Sequence, residues 1–375
     1  MKKEMLRKAF GIAMASVMAI SMVGCGGGGS SSSAAPASEP KSSAAPEASS
    51  APEEPSSAAS EASSAVESAV SAASEAGAEA SDITIGVSWC AIESQMWAEY
   101  QNTIKAECES LGVTYTESVA ENDVQKQNQQ IEDFISQGVD AIIIAPADGE
   151  AVVSAIQECN EANIPVIMAN RAAGEGCEVY ATISSDNKAM VKREIEYIVS
   201  ITPEGTKYRC LELVGSLTDV NAIARQEGFE ETIAEYPDMF ELVSTVPTEW
   251  KGDQALAGVQ NTFSADDTVN FIFSPSDALL PSIISGLQQL DKYAKVGEDG
   301  HITLVTFDGA ADAVDAIREG YVDVVSVQDA TNQAKLCVQA AVDAAAGKEA
   351  QDYTDAGFEV SSQNIESEYA DFTGY

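Results

Sequence analysis

Hydrophobic and polar positions change rhythm twice along the chain. Residues 9–23 form an uncharged, mostly apolar run, and residues 26–81 carry almost no large apolar side chain. From Ile83 onward, short apolar runs alternate with segments of helical periodicity. Residues 83–90, 113–118, 141–145 and 164–168 read as strands, separated by helices over 95–111, 124–137 and 150–162. The first two helices stop at Gly112 and Gly138, where glycine suits a helix terminus. Ala141-Ile142-Ile143-Ile144-Ala145 has no polar face, the pattern of a strand covered on both sides in a parallel sheet. The rhythm restarts with strands over 208–214, 240–246, 270–273, 302–307 and 322–327. Helices over 223–235, 254–263, 279–290, 311–319 and 333–346 separate them. Ten or so such units exceed one open sheet, so the body is expected to divide into two α/β domains with parallel sheets.

The two earlier stretches explain each other. Lys2, Lys3, Arg7 and Lys8 precede the apolar run, and Gly24 stands just before Cys25. A basic start, a short apolar middle and a small residue before a cut make a secretory leader. The run of about fifteen residues is short of the roughly twenty needed to span a bilayer. Met22-Val23-Gly24-Cys25 resembles a bacterial lipobox, which implies a leader over 1–24 and lipidation of Cys25, holding the mature chain at the outer face of the cytoplasmic membrane. Residues 26–81 repeat pieces such as Ser42-Ser43-Ala44-Ala45-Pro46-Glu47. They cannot bury enough surface to offset their ordering entropy. Such a coil would span roughly 40 Å and reads as a tether.

Charge narrows the partners. The chain carries −40 at pH 7, and removal of the leader's four basic residues and one acidic residue makes the remainder near −43. Such a surface is expected to bind neither nucleic acid nor anionic lipid through its folded body. Beyond Cys25 there are six cysteines, Cys90, Cys108, Cys159, Cys177, Cys210 and Cys337, with one histidine, His301, and no Cys-x-x-Cys. A zinc site is not expected, nor any other cofactor. Export permits disulfides, but a body of about 290 residues can bury a core without them, so free, mostly buried thiols are expected.

In open parallel sheets, ligands bind beyond the carboxyl ends of the strands. Cys90, Ser94, Gln95, Met96 and Trp97 follow the first strand; Asn170 and Arg171 follow the fourth. In the second half come Asp219 and Arg225, then Thr248-Glu249-Trp250, Ser274-Pro275-Ser276-Asp277, Phe307-Asp308-Gly309 and Gln328-Asp329. This set holds aromatics, amides, carboxylates and arginines, with no histidine and no Gly-x-Ser-x-Gly elbow. It suits a polyhydroxylated ligand, whose C–H faces pack on rings and whose hydroxyls need donors and acceptors together.

These residues carry a family resemblance. Gly138-Val139-Asp140-Ala141-Ile142-Ile143-Ile144-Ala145-Pro146, Asn163-Ile164-Pro165-Val166, Ser185-Asp186-Asn187, Arg225-Gln226-Glu227-Gly228-Phe229 and Thr306-Phe307-Asp308-Gly309 occur in order. From Ile83 to the end the chain resembles the periplasmic binding proteins of the ribose- and galactose-binding type, the solute receptors of ABC sugar importers. The resemblance implies an α/β fold of two doubly wound, Rossmann-like lobes (the type I form), joined by three crossings near Ser185-Asp186, Gln328-Asp329 and Gly357-Phe358. The lobes would comprise 82–184 with 329–357 and 185–328 with 358–375.

Carried over position by position, the stacking residues are Met96, Trp97 and Trp250. The polar ligand contacts are Cys90, Ser94, Asn170, Arg171, Arg225, Ser276, Asp308 and Gln328. Cys90 stands for a serine, Ser94 and Ser276 for asparagines, Asn170 for an aspartate and Met96 for a phenylalanine, departures that bear on the choice of sugar. The resemblance also implies a monomer that binds a monosaccharide or polyol and delivers it to an ABC permease. A sensory receptor feeding a membrane kinase would use the same closure. An anchored carbohydrate-active enzyme would need two opposed carboxylates, nominally Asp277 and Asp308. Asp308 is also placed to cap the helix after it.

Overall fold

A computed structural model describes residues 82–375. The leader, Cys25 and the tether expected over 1–81 lie outside the described residues.

Two six-stranded sheets organise the chain. The first has the order β11-β5-β4-β3-β1-β2, from β1 (Thr84–Trp89), β2 (Thr114–Val119), β3 (Ala141–Ala145), β4 (Val166–Asn170), β5 (Ala181–Ser185) and β11 (Tyr353–Asp355). The second has the order β12-β10-β9-β8-β6-β7, from β6 (Tyr208–Val214), β7 (Phe240–Pro247), β8 (Phe271–Phe273), β9 (Thr303–Asp308), β10 (Val324–Val327) and β12 (Phe358–Ser361). Neighbouring strands run parallel throughout, except that β12 pairs antiparallel with β10. In each sheet the order reverses beside the first strand, at β1 and at β6, which opens a crevice at the carboxyl ends.

Helices α1 (Gln95–Leu111), α2 (Val124–Gln137), α3 (Val153–Glu161) and α9 (Ala330–Ala345) belong to the first lobe. Helices α4 (Asn187–Ile201), α5 (Val220–Glu235), α6 (Gly252–Ala265), α7 (Leu280–Gln289) and α8 (Ala311–Glu319) belong to the second. Local chemistry sets their ends. Ser94 accepts from the Trp97 amide at the start of α1, Asp123 from Lys126 at α2, and Gly112 and Gly138 close these helices at φ 72° and 70°. Side chains of each sheet feed two cores. Ile143 packs with Trp97, Tyr100 and Cys337 on one face of the first sheet, while Ile142 and Ile144 join Phe134 and Ile156 on the other. Phe134 lies so close over β1 that a Cβ at Gly86 would come within 2.9 Å of its ring.

Four elements add to those the apolar pattern predicts. α4 has an apolar stripe (Met190, Val191, Ile195, Ile198) but no long apolar run to mark it. β5, β11 and β12 are short, and β5 and β11 are half polar. These elements carry the hinge. The chain leaves the first sheet at Ser185, returns through Gln328 and Asp329, and leaves again after Asp355. Asp355 ties all three passages together. Its backbone carbonyl accepts from Asp186 N at 2.9 Å, its Oδ2 from Asp329 N at 2.7 Å and Gln333 Nε2 at 3.0 Å, and its Oδ1 from Gly357 N at 3.0 Å. Gln333 Nε2 also donates to Ser185 Oγ at 2.9 Å, and Ser185 Oγ donates to Gln328 Oε1 at 2.8 Å.

The six cysteines of the described residues are free thiols, and all but Cys177 are buried. Among the described residues no helix is long and apolar enough to cross a membrane.

Two buried carboxyls make testable points of stability. Asp355→Asn replaces one acceptor oxygen with a donor that faces other donors. It should cost roughly 3 kcal/mol of unfolding free energy, read by urea denaturation. Glu212 on β6 is inaccessible, and burial pushes its carboxyl up to about 8 while Thr245 Oγ1, 2.9 Å away, pulls it down. The folded chain therefore holds this proton more tightly than the unfolded chain, whose reference is 4.5. Its contribution is fullest below that reference and is lost as pH rises through about 8. Glu212→Gln should be the more stable protein above pH 8, by on the order of 4 kcal/mol, and should lose that advantage below pH 5, when unfolding midpoints are compared across pH.

Candidate functional site

Where the two sheets' carboxyl ends face each other, a cavity of about 220 Å³ is lined from both lobes. The first lobe supplies Ala91, Glu93, Ser94, Met96 and Trp97 after β1, Asn122 after β2, and Asn170 and Arg171 at the end of β4. The second supplies Asp219, Asn221 and Arg225 around the start of α5, Trp250 after β7, Ser276 and Ala278 after β8, and Asp308 at the end of β9.

Four of these lining residues, Asn122 (φ 59°), Asn170, Trp250 and Asp308, sit on backbone that L-residues seldom adopt. Asn170 has φ 64°, and the Arg171 amide reaches back to Ala169 O at 2.8 Å, a γ-turn that swings Arg171 across the crevice. Glu249 and Trp250, at φ 49° and 57°, form the centre of a turn closed by Lys251 N to Thr248 O at 2.8 Å. The Trp250 indole lies over Gly215, where a Cβ would fall 2.2 Å from the ring. Asp308 has φ 111°, followed by Gly309 at 105°.

Both arginines of the cleft are paired with carboxylates. Arg171 Nη2 meets Asp219 Oδ2 at 2.6 Å across the lobes, with side-chain exposures of 10% and 0%. Its Nη1 donates to Pro146 O at 3.0 Å and Cys90 Sγ at 3.4 Å, and its guanidinium lies 5.3 Å from the Trp97 ring centre. Burial works against this cation, but the Asp219 carboxylate, Cys90 and Asp308 together more than compensate, and its pKa rises. Arg225 Nη1 donates to Asp308 Oδ1 at 3.1 Å and Pro275 O at 2.6 Å, its Nε to Asn187 Oδ1 at 2.7 Å, and it stacks 3.7 Å over Phe307.

Asp308 also accepts from Ser276 Oγ at 2.6 Å and Gln328 Nε2 at 2.7 Å. Burial pushes its carboxyl up, while Arg225, Ser276 and Gln328 pull it down. Gln328 Oε1 accepts from Asn170 Nδ2 at 2.9 Å, and Asn170 Oδ1 accepts from Asn221 Nδ2 at 2.8 Å. The polar wall of the cavity thus continues without a break into the hinge.

Of the residues singled out in the sequence, Ser94, Met96, Trp97, Asn170, Arg171, Arg225, Trp250, Ser276 and Asp308 line the cavity. Cys90 and Gln328 stand behind it, Cys90 against Arg171 and Gln328 between Asp308 and Asn170. Asp308 does not cap α8, whose cap residue is Ala310. Asp277 turns away from the cavity instead, and its Oδ2 accepts from Gly309 N at 2.8 Å and Ala310 N at 2.7 Å. Burial, then the nearby Asp308 charge, push its pKa up. It therefore does not oppose Asp308 across a ligand, as a glycosidase pair would. Glu93, Asn122, Asp219 and Asn221 join the lining without being singled out by the sequence as ligand contacts. Asp219 is visible beyond a strand, but the partner that places it in the cleft, Arg171, lies 48 positions away and on the other lobe. Among the described residues no three His, Cys, Asp or Glu side chains group as a metal site.

Residues 85–349 match the sequence model of the periplasmic binding protein domain. The chain is 26% identical over 282 residues to the ribose import binding protein of Bacillus subtilis (strain 168), covering 75% of this chain and 88% of that one. It is 27% identical over 237 residues to the corresponding protein of Escherichia coli (strain K12), covering 63% and 76%. Among solved structures, a galactofuranose binding protein superposes with a TM-score of 0.71 at 21% identity, over 78% of this chain and all of that one. The fold is that of the type I periplasmic binding proteins.

Proposed function

Because this chain belongs to the periplasmic binding protein family, we propose that it captures a sugar or sugar-like polyol between its lobes and delivers it to an ABC importer. One observation carries the reading: Trp97 and Trp250 reach a single small cavity from opposite lobes, together with hydrogen-bonding groups already fixed by their neighbours. Rings of this kind receive the C–H faces of a sugar, and the surrounding amides, hydroxyls and ion pairs answer its hydroxyls. The volume suits a single ring rather than a chain of them. Ligands attached to both lobes favour the closed arrangement, and the hinge at 185–186, 328–329 and 357–358 supplies the movement. Relatives support the class: two are named for ribose, and a Bacillus halodurans solute binding protein at 25% identity holds myo-inositol. The reading includes a monomer and carries no catalytic step.

The proposal extends to attachment, with a leader over 1–24, a lipid on Cys25 and a tether to about residue 81, so that the lobes work at the outer face of the cytoplasmic membrane. Cys25→Ser should move the protein from the membrane fraction to the medium. Retention of that variant on membranes would sink the anchor.

The solute is tested by thermal denaturation of protein stripped of carried-over ligand against pentoses, hexoses and polyols. A bound solute at a hundred times its Kd should add about 2.7 kcal/mol. Trp250→Ala should weaken the same solute by about tenfold or more. A panel with no stabilising member, or a solute recovered chemically altered, would overturn the reading.

A further inference from the structure

Two cations line the cavity, Arg171 and Arg225, and each already has a carboxylate partner within it. Arg171 has both terminal nitrogens engaged. One terminal nitrogen meets Asp219, the other meets Pro146 O and Cys90 Sγ, and its buried Nε has no partner. Asp219 is fixed rather than free to swing aside. Its Oδ1 accepts from Asn221 N at 2.9 Å at the start of α5, and its Oδ2 accepts from Trp250 Nε1 at 3.1 Å as well as meeting Arg171. An incoming carboxylate or phosphate would therefore find no unpaired cation. It would lie beside Asp219 and Asp308, with Glu93 also on the cavity wall. An uncharged solute meets no such repulsion.

We propose that Asp219 is a specificity-determining residue: an internal counter-ion, supplied by the second lobe, that occupies the Arg171 edge an acidic sugar would take and restricts the cleft to uncharged solutes. The inference rests on reading the cleft as a solute site, and it deepens that reading by naming the charge class. Discrimination of this kind works by repulsion as much as by attraction. Because its two partners stand on different lobes, the same ion pair also closes the cleft, so an anion competing for Arg171 would have to loosen the closed arrangement it needs.

The test uses full-length wild-type protein and Asp219→Asn, which keeps the helix-capping oxygen and the side chain's size. Thermal shifts are measured with sodium sulfate against sodium chloride at equal ionic strength. Matched pairs follow: D-glucose with D-glucuronate, D-galactose with D-galacturonate, and D-ribose with ribose 5-phosphate. Wild type should be stabilised by neither sulfate nor the acidic member of any pair. Asp219→Asn should respond to sulfate, lose that response in Asp219→Asn/Arg171→Gln, and gain at least about tenfold in its acidic-to-neutral preference. Sulfate or an acidic sugar stabilising wild type as well as the variant overturns the proposal, as does a folded variant that ignores both. Should the variant fail to fold, a wild type that prefers an acidic sugar still overturns it, and a wild type that rejects sulfate and every acidic sugar still supports it. If sulfate separates the two proteins as expected but no sugar stabilises either, the counter-ion role stands and the sugar reading falls.

Discussion

Asp355 holds together the three passages of chain that join the lobes. One residue's carbonyl and carboxylate accept from backbone or side chains at every passage between the lobes. The physical constraint is plain. Three strand ends leave their sheets here, and the backbone N–H groups of Asp186, Asp329 and Gly357 beyond them each find an acceptor on Asp355. A carboxylate offers several acceptor sites and can serve them together, which no apolar residue could do. From Asp355 the hydrogen bonds run through Gln333 and Ser185 to Gln328, and from Gln328 to Asp308 and Asn170. Hinge and cleft are therefore one continuous polar network.

The cleft shows how such a network is built without an unpaired cation. Both arginines face carboxylates, and both are further fixed by carbonyls and aromatic faces. Left unpaired, either charge would be strongly destabilising at this depth. Pairing them within the protein offsets that penalty and leaves the groups already oriented in the cleft. The strained turns at Asn170, Trp250 and Asp308 belong to the same design. Each costs on the order of 1–3 kcal/mol and persists because surrounding contacts over-determine it, as where the Trp250 ring fills the space above Gly215.

Several site residues are legible in the sequence because they stand at fixed offsets from strands whose apolar runs are hard to mistake. Trp97, Arg171, Trp250 and Asp308 are of this kind, and all line the cavity. Gln328 is found by the same offset, but it serves the hinge as much as the cleft. Asp219 stands at such an offset too, but its partner Arg171 lies on the other lobe, and Asn221, two residues further on at the helix start, is not marked by any offset. Asp308 is open to misreading as a helix cap, since Asp277 holds the amides of the following loop in its place.

The sequence by itself determined the local order: strands from apolar runs, helices from their periodicity and their Ser, Asp and Gly termini, and hence a repeated βα chain with its chemistry at the strand ends. These are short-range effects, set by backbone propensity and by the need to bury one face. Tertiary structure alone decided which strand ends meet, that Arg171 spends its charge on Asp219 instead of leaving it open, and that Asp355 serves two distant segments as well as its own. Such choices depend on desolvation and on partners tens to hundreds of residues away. No pattern within a single helix or strand encodes the distance between them.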